Sequence, residues 1–187
     1  SKKIIFVTVR FGNVLGTVGS VIPLFRDQAR EKGTLTVTDP RMSRFFMTIP
    51  DAAKLTLEAA LRAHGGEIFV LKMPALRIGD LAEVCAVRYA TPPARVTIGA
   101  IRPGEKIHEA LLTEDEARTA LETDRHFIIV PQIAVADIAA DQYTYAGARA
   151  LTSNTYRTDT GKPLTREEIA ALLDIGVMVA RPARGRG

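Results

Sequence analysis

Ile4-Ile5-Phe6-Val7-Thr8-Val9, running into Arg10-Phe11-Gly12-Asn13-Val14-Leu15-Gly16-Thr17-Val18-Gly19, is the stretch whose reading decides the fold. Its first six residues are all β-branched or aromatic, as in a parallel strand buried on both faces. Such a strand needs neighbours and covering helices. A glycine-rich loop follows, and Ser20 can then cap a helix to about Lys32, with Pro23 tolerated in its first turn and Gly33 ending it. Leu35-Thr36-Val37-Thr38 reads as a short strand closed by Asp39-Pro40. A natural domain rarely begins on a buried strand, so the expectation is the C-terminal part of a longer protein.

Outward from that stretch, helices and strands keep alternating. Thr48-Ile49-Pro50-Asp51 is a helix start signal, with Ala53, Leu57, Ala60 and Leu61 following at helical spacing and His64-Gly65-Gly66 as the stop. Glu67 to Met73 reads as another buried strand. Ile78, Leu81 and Cys85 mark the apolar face of a helix that ends before Thr91-Pro92-Pro93. Arg95 to Ile101 reads as a strand running into the turn Arg102-Pro103-Gly104-Glu105. Helices are expected at Ile107–Leu112 and Glu114–Leu121, then a strand at His126–Val130. Residues 133–160 give weak signals and read as irregular. Thr165-Arg166-Glu167-Glu168 opens a final helix through Leu173, with Gly176 as its stop. This alternation predicts an α/β layered architecture.

Composition agrees. The chain has 187 residues, 47% of them hydrophobic and 25% charged, with a mean hydropathy of +0.06. Those proportions exclude collagen-like, coiled-coil and disordered chains, and no apolar run approaches the ~20 residues of a membrane-spanning helix. Arg181, Arg184 and Arg186, in the last seven residues, carry three of the four net positive charges. A solvated basic tail at 181–187 therefore accounts for much of the basicity, and nucleic-acid binding does not follow from it. The single cysteine cannot form an internal disulfide, which favours a reducing, cytoplasmic setting.

Residues 4 to 39 imitate a dinucleotide-binding unit: strand, three glycines, helix, strand, and Asp39 placed 20 residues after Gly19. The glycine spacing is nevertheless G-x-x-x-G-x-x-G rather than G-x-G-x-x-G. Arg10 and Asn13 also suit a loop that grasps a ligand better than a tight turn. Asn13 follows a strand end, where α/β sheets place ligands, and its amide both donates and accepts; its other reading is a turn residue. Arg44 suits either a phosphate or an ion pair with a nearby acid. Arg102 and Glu105 make the strongest chemical case. A guanidinium fork suits a diphosphate and a carboxylate suits two ribose hydroxyls, although a surface turn with a local salt bridge needs the same residues. His64, His108 and His126 are far apart in sequence and no Cys/His pair has zinc spacing. Cys85, on an apolar helix face, reads as packing.

Four segments in order resemble extended short-chain dehydrogenase/reductases that act on nucleotide sugars: Arg10-Phe-Gly-Asn-Val-Leu-Gly16 with Gly19-Ser-Val-Ile-Pro-Leu-Phe25, Thr36-Val-Thr-Asp-Pro-Arg-Met-Ser-Arg-Phe-Phe-Met-Thr48, His64-Gly-Gly-Glu-Ile-Phe-Val70, and Ile101-Arg-Pro-Gly-Glu-Lys-Ile-His-Glu109. The nearest branch resembles the UDP-N-acetylglucosamine 4,6-dehydratases of the polysaccharide-biosynthesis family, including the 5-epimerising type. The resemblance extends from about Thr8 to Pro131 and is weaker through Leu173. It implies the C-terminal part of an extended Rossmann-type enzyme: the end of the sheet interleaved with a nucleotide-sugar subdomain at 1–131, and a C-terminal extension with the final helix at 132–180. It also implies a UDP-sugar substrate held by Asn13, Val21, Thr38, Arg102 and Glu105. The backbone of Val14, Leu15, Gly16, Thr17 and Val18 would lie beside an NAD or NADP cofactor. Val18 departs from the family, many of whose members have Arg there. The family's Tyr-x-x-x-Lys acid/base pair does not occur in the sequence, so no catalytic acid/base is expected here and the chain is expected to be inactive alone. The resemblance also implies a homo-oligomeric enzyme. The alternatives are a nucleotide-sugar 4-epimerase or reductase of the same superfamily, and a non-catalytic nucleotide-sugar-binding module.

Overall fold

Two neighbouring phenylalanines divide the interior. In a strand, successive side chains point to opposite faces, and Phe45 and Phe46, 2% and 1% exposed, enter different hydrophobic cores. The computed structural model describes residues 4–17, 19–133 and 142–179, the last four of these as backbone only. The elements, in chain order, are β1 (Thr8–Arg10), β2 (Asn13–Val14), α1 (Val21–Lys32), β3 (Thr34–Val37), β4 (Ser43–Met47), α2 (Ile49–Arg62), β5 (Ile68–Leu71), β6 (Ala75–Arg77) and α3 (Ile78–Tyr89). They continue with β7 (Arg95–Ile98), β8 (Ala110–Leu112), α4 (Glu114–Ala117), β9 (Ala120–Glu122), β10 (His126–Ile129), β11 (Arg149–Ala150), β12 (Tyr156–Arg157) and α5 (Arg166–Val179).

The first core lies on a five-stranded sheet of order β1-β5-β10-β9-β11. β1 runs parallel to β5, with Val9 opposite Phe69, and β10 runs antiparallel to β5, with Ile128 opposite Phe69. The second core gathers Phe25, Leu35, Leu81, Cys85, Ile169 and Leu173 from α1, β3, α3 and α5. Between them stands the three-stranded sheet β2-β4-β6, while the parallel pair β3-β7 belongs to the second core. The chain passes from the first sheet to the second at Phe11-Gly12, and the passage is tight. A Cβ on Gly12 would lie 2.6 Å from both the Cβ and the carbonyl oxygen of Phe45.

The mixed α/β class stands as expected, with several local corrections. The opening strand is shorter and less buried than its composition implied: β1 begins at Thr8, and Ile4 and Phe6 are 77% and 80% exposed. β1 is an edge strand here, so its outer side has no sheet neighbour among the described residues. β1 and β3 do not pair, since β3 joins β7, and residues 4–39 are therefore not a βαβ unit. On α2 the packed residues are Leu55 and Ala59, while Leu57 and Leu61 are exposed. Two apolar stripes at helical spacing coexist on that helix, and the sheet takes the other one. The helix expected at Ile107–Leu112 is strand β8 at its end, paired with β12, and α4 stops at Ala117 because β9 follows. Gly176 does not end α5, which continues to Val179.

Other boundaries follow the sequence. Gly33 closes α1 in the left-handed conformation, φ 59°. Thr48 and Asp51 cap α2 reciprocally, and Thr165 and Glu168 exchange the same bonds ahead of α5. The segment around Tyr145 is anchored through Glu67, a fully buried carboxylate. It accepts hydrogen bonds from the Tyr145 hydroxyl at 2.6 Å and from the backbone N–H groups of His64 and Gly65 at 2.6 and 2.8 Å. Burial alone would raise this carboxyl, but the three donors together hold it below its ordinary value. Among the described residues no helix is long and apolar enough to cross a membrane. The basic tail at 181–187 lies outside the described residues.

Candidate functional site

A cleft of about 360 Å³ opens where β2, the N-terminus of α1, the loop after β3 and the turn after β7 converge. Asn13, Val14, Thr17, Val21, Thr38 and Glu105 line it, together with Gly19, Ser20, Met42, Arg44, Phe46 and Ile78. β2 pairs in parallel with β4, which sets Asn13 opposite Phe46. Asn13 is half-buried, and its carboxamide makes no hydrogen bond with another described residue. Its donors and acceptor are therefore available to a ligand.

The N-terminus of α1 forms one wall. Its first turn carries no acidic residue, and Ser20, at the N-cap, makes no capping bond with its side chain. The Ser20 Oγ is buried without a partner among the described residues. This corrects the expectation that Ser20 caps the helix with its hydroxyl. An uncapped helix start presents free N–H groups and the positive end of the dipole, which suits an anion. Gly16 and Gly19 adopt φ of 76° and 79°, and a Cβ on Gly19 would meet nothing within 4 Å. The loop therefore offers open backbone to a flat ligand group. Leu15, 3% exposed, faces the core rather than the cleft, and Gly16 is in the turn without lining it. Val18 lies outside the described residues.

The opposite wall is the turn at Arg102–Glu105. Gly104 takes φ 86°, the Glu105 N–H donates to the Arg102 carbonyl at 3.1 Å, and the Arg102 N–H donates to the Glu105 carboxylate at 3.0 Å. These two bonds close the turn and aim Glu105 at the cleft. Arg102 does not line the cleft; it is exposed, and no described residue pairs with its guanidinium. The structure thus joins Asn13, Val21, Thr38 and Glu105 in one site and leaves Arg102 at its rim.

Arg44 lines the cleft but is already engaged. Its guanidinium donates to the carbonyls of Ser43, Lys106 and Ile107 at 2.7, 2.8 and 3.2 Å, and its Nε lies 3.2 Å from Glu109. Of the two readings open for this residue, the ion pair is the one formed. Burial raises the Glu109 carboxyl, with Arg44 opposing the shift. Arg10 is likewise occupied within the protein. It makes a bidentate pair with Glu116 at 2.8 and 3.0 Å and donates to the Leu111 carbonyl at 2.7 Å. Asp39 is held by Arg41 through the backbone N–H and the guanidinium, at 2.7 to 3.2 Å, and is not presented to a ribose.

Phe46, Ile78, Met42 and Ser20 are lining residues that the sequence reading did not assign to a site. Phe46 was legible, because two-residue periodicity in β4 puts it on the face of Arg44. Ile78 carries the same signal as a core position, and Met42 carries no signal. Among the described residues no group of three or more His, Cys, Asp or Glu side chains is arranged to hold a metal ion.

Comparisons with known proteins bear on the family and the fold. Residues 1–131 match the family described as Polysaccharide biosynthesis protein. A UDP-N-acetylglucosamine 4,6-dehydratase (inverting) of Campylobacter jejuni is 37% identical over 142 residues, 75% of this chain and 41% of that protein. A UDP-glucose 4-epimerase of Rickettsia bellii is 34% identical over 172 residues, 91% of this chain and 50% of that protein. Among solved structures, Pen from Bacillus thuringiensis superposes with a TM-score of 0.83 at 38% identity, covering 93% of this chain and 51% of that one. The chain spans half or less of the length of these curated relatives. It is a member of the polysaccharide-biosynthesis protein family, with the α/β fold of the C-terminal part of an extended short-chain dehydrogenase/reductase.

Proposed function

We propose that this chain is the nucleotide-sugar-binding portion of an NAD(P)-dependent UDP-N-acetylglucosamine 4,6-dehydratase. The observation that carries the reading is the cleft, where an uncapped helix start, a free carboxamide and a carboxylate meet beside the apolar side chains of Val21, Met42, Phe46 and Ile78. A nucleoside diphosphate sugar needs each of these: an anion site, hydrogen-bond partners for hydroxyls, and an apolar bed. Glu105 accepts from ribose hydroxyls, the α1 N-terminus faces phosphate, and Asn13 serves a sugar hydroxyl or phosphate. Val21 and Thr38 flank the nucleotide. Arg102 swings in from the rim as a counter-ion, a role open to an unpaired guanidinium on an exposed turn.

The backbone from Val14 to Val18 is assigned to one edge of a nicotinamide cofactor, a reading supported by Val14 and Thr17, which line the cleft, and by the open backbone at the neighbouring Gly19. When bound, that cofactor supplies hydride exchange with the sugar. This chain orients the sugar and excludes water around it. Tyr-x-x-x-Lys is absent from the 187 residues, so proton transfer belongs to groups outside them, and the chain alone turns over no substrate. The setting is cytoplasmic and the intact enzyme is a homo-oligomer.

A 4-epimerase is the second reading, favoured by a match to the Rickettsia epimerase that spans 91% of this chain. Product analysis of the intact enzyme separates them. A 4-keto-6-deoxy sugar supports the dehydratase, and a 4-epimer with no loss of water supports the epimerase. Calorimetry with UDP tests the cleft itself: Asn13→Ala and Glu105→Gln each weaken binding about tenfold or more, the loss of one good polar contact. Unchanged affinity in both variants would refute the assignment.

A further inference from the structure

We propose that Thr158 is a positioning residue for the cleft, fixing the segment that carries Glu105 through a buried hydroxyl cluster. The inference rests on the nucleotide-diphosphate reading given above. Thr158 lies beyond residue 131, where the family match ends, yet it is only 2% exposed. Its Oγ accepts the Ser43 hydroxyl at 2.6 Å and the Glu109 N–H at 3.0 Å, and its own N–H donates to the Glu109 carbonyl at 2.9 Å. Ser43 Oγ also lies 2.7 Å from His108 Nδ1, which ties the imidazole to the same cluster.

This cluster grips the four residues immediately after Glu105. Ser43 N–H donates to the Ile107 carbonyl at 2.9 Å, Arg44 holds the carbonyls of Lys106 and Ile107, and Thr158 holds both backbone groups of Glu109. On the other side of Glu105, the Arg102–Gly104 turn is exposed and bonded mainly to itself. The placement of Glu105 against Asn13 is therefore set from its C-terminal side. Replacing the Thr158 hydroxyl by a methyl group removes the acceptor of the Glu109 N–H and one partner of the Ser43 hydroxyl, and the segment must move to satisfy the Glu109 amide.

The test uses the 187-residue chain with Thr158→Val and Thr158→Ser, UDP calorimetry, and hydrogen exchange at the Glu109 amide. Thr158→Val is expected to weaken UDP binding about tenfold and to speed Glu109 exchange by a similar factor, the cost of unpairing the Glu109 amide. Thr158→Ser, which keeps the hydroxyl, is expected to restore both to within about twofold. Unchanged affinity and exchange in Thr158→Val would overturn the proposal, as would a Thr158→Ser variant as impaired as Thr158→Val. If Thr158→Val does not fold, Ser43→Ala is read in the same assays, and unchanged affinity and exchange there overturn the proposal. If the unmodified chain binds no UDP, the nucleotide reading fails. Glu109 exchange then decides alone whether the Thr158 hydroxyl holds the segment.

Discussion

Gly12→Ala puts a methyl group where the two layers of the protein meet. The new Cβ falls 2.6 Å from the Phe45 carbonyl oxygen and 2.9 Å from its carbonyl carbon, backbone atoms of the strand that runs between the two cores. Atoms in β4 cannot swing aside as the end of a long side chain can. The strain must therefore be relieved by separating β2 from β4. Overpacking of this kind costs about 2–3 kcal/mol, which for a chain of this length lowers the melting temperature by about 4–12 °C. Gly161→Ala is the control, since a Cβ there meets nothing within 4 Å and the backbone is not left-handed; it should stay within about 0.5 kcal/mol. The assay is urea and thermal unfolding of the three chains, with UDP affinity measured on those that remain folded. Because Asn13 is the next residue and pairs with Phe46, affinity should fall with stability. A Gly12→Ala chain that melts within 1 °C of the Gly161→Ala control, at about the precision of such a melt, would refute the steric reasoning.

Two further outcomes follow from side-chain environments. The Arg10 guanidinium and the Thr113 hydroxyl and N–H hold the Glu116 carboxyl at about 2, against an ordinary 4.5. Its contribution is therefore complete above the unfolded value and is lost as pH falls from about 4.5 through about 2. Acid titration of Glu116→Gln should show a flatter stability profile in that window, and an identical profile would count against the pair. Burial pushes the Cys85 thiol up to about 12, so a thiol reagent at pH 8 should leave the folded chain unmodified and react once urea unfolds it. Modification of the folded chain at the rate of the unfolded one would contradict that packing.

Much of this was legible in the residues because local chemistry and burial agreed. Thr48 with Asp51, Thr165 with Glu168, and Gly33 marked helix ends by the bonds and backbone angles they form. The apolar helix face at Leu81 and Cys85 packed as its spacing implied. Composition misled where burial depends on neighbours that lie elsewhere. Ile4 and Phe6 have the makings of a buried strand, yet among the described residues nothing covers their side chains, which are 77% and 80% exposed. Leu57 and Leu61 keep helical spacing on the wrong face of α2. Ala110–Leu112 became a strand because Tyr156 and Arg157 return to pair with it, a contact across more than forty residues that no local pattern records. Within the cleft, Asn13 and Glu105 were legible from their positions at a strand end and a turn. The engagement of Arg44 and Arg10 was not, since both depend on which acid the fold brings to 3.2 and 2.8 Å.

The central claim is that the cleft beside Asn13 and Glu105 takes a nucleoside diphosphate sugar. Titrating the isotopically labelled chain with UDP-N-acetylglucosamine, and following backbone and Asn side-chain resonances, tests it most directly. The account predicts saturable shifts at Asn13, Ser20, Val21, Thr38 and Glu105, with residues on the far side of the five-stranded sheet unmoved. Saturation without movement at Asn13 and Glu105, or no saturation at all, would contradict it.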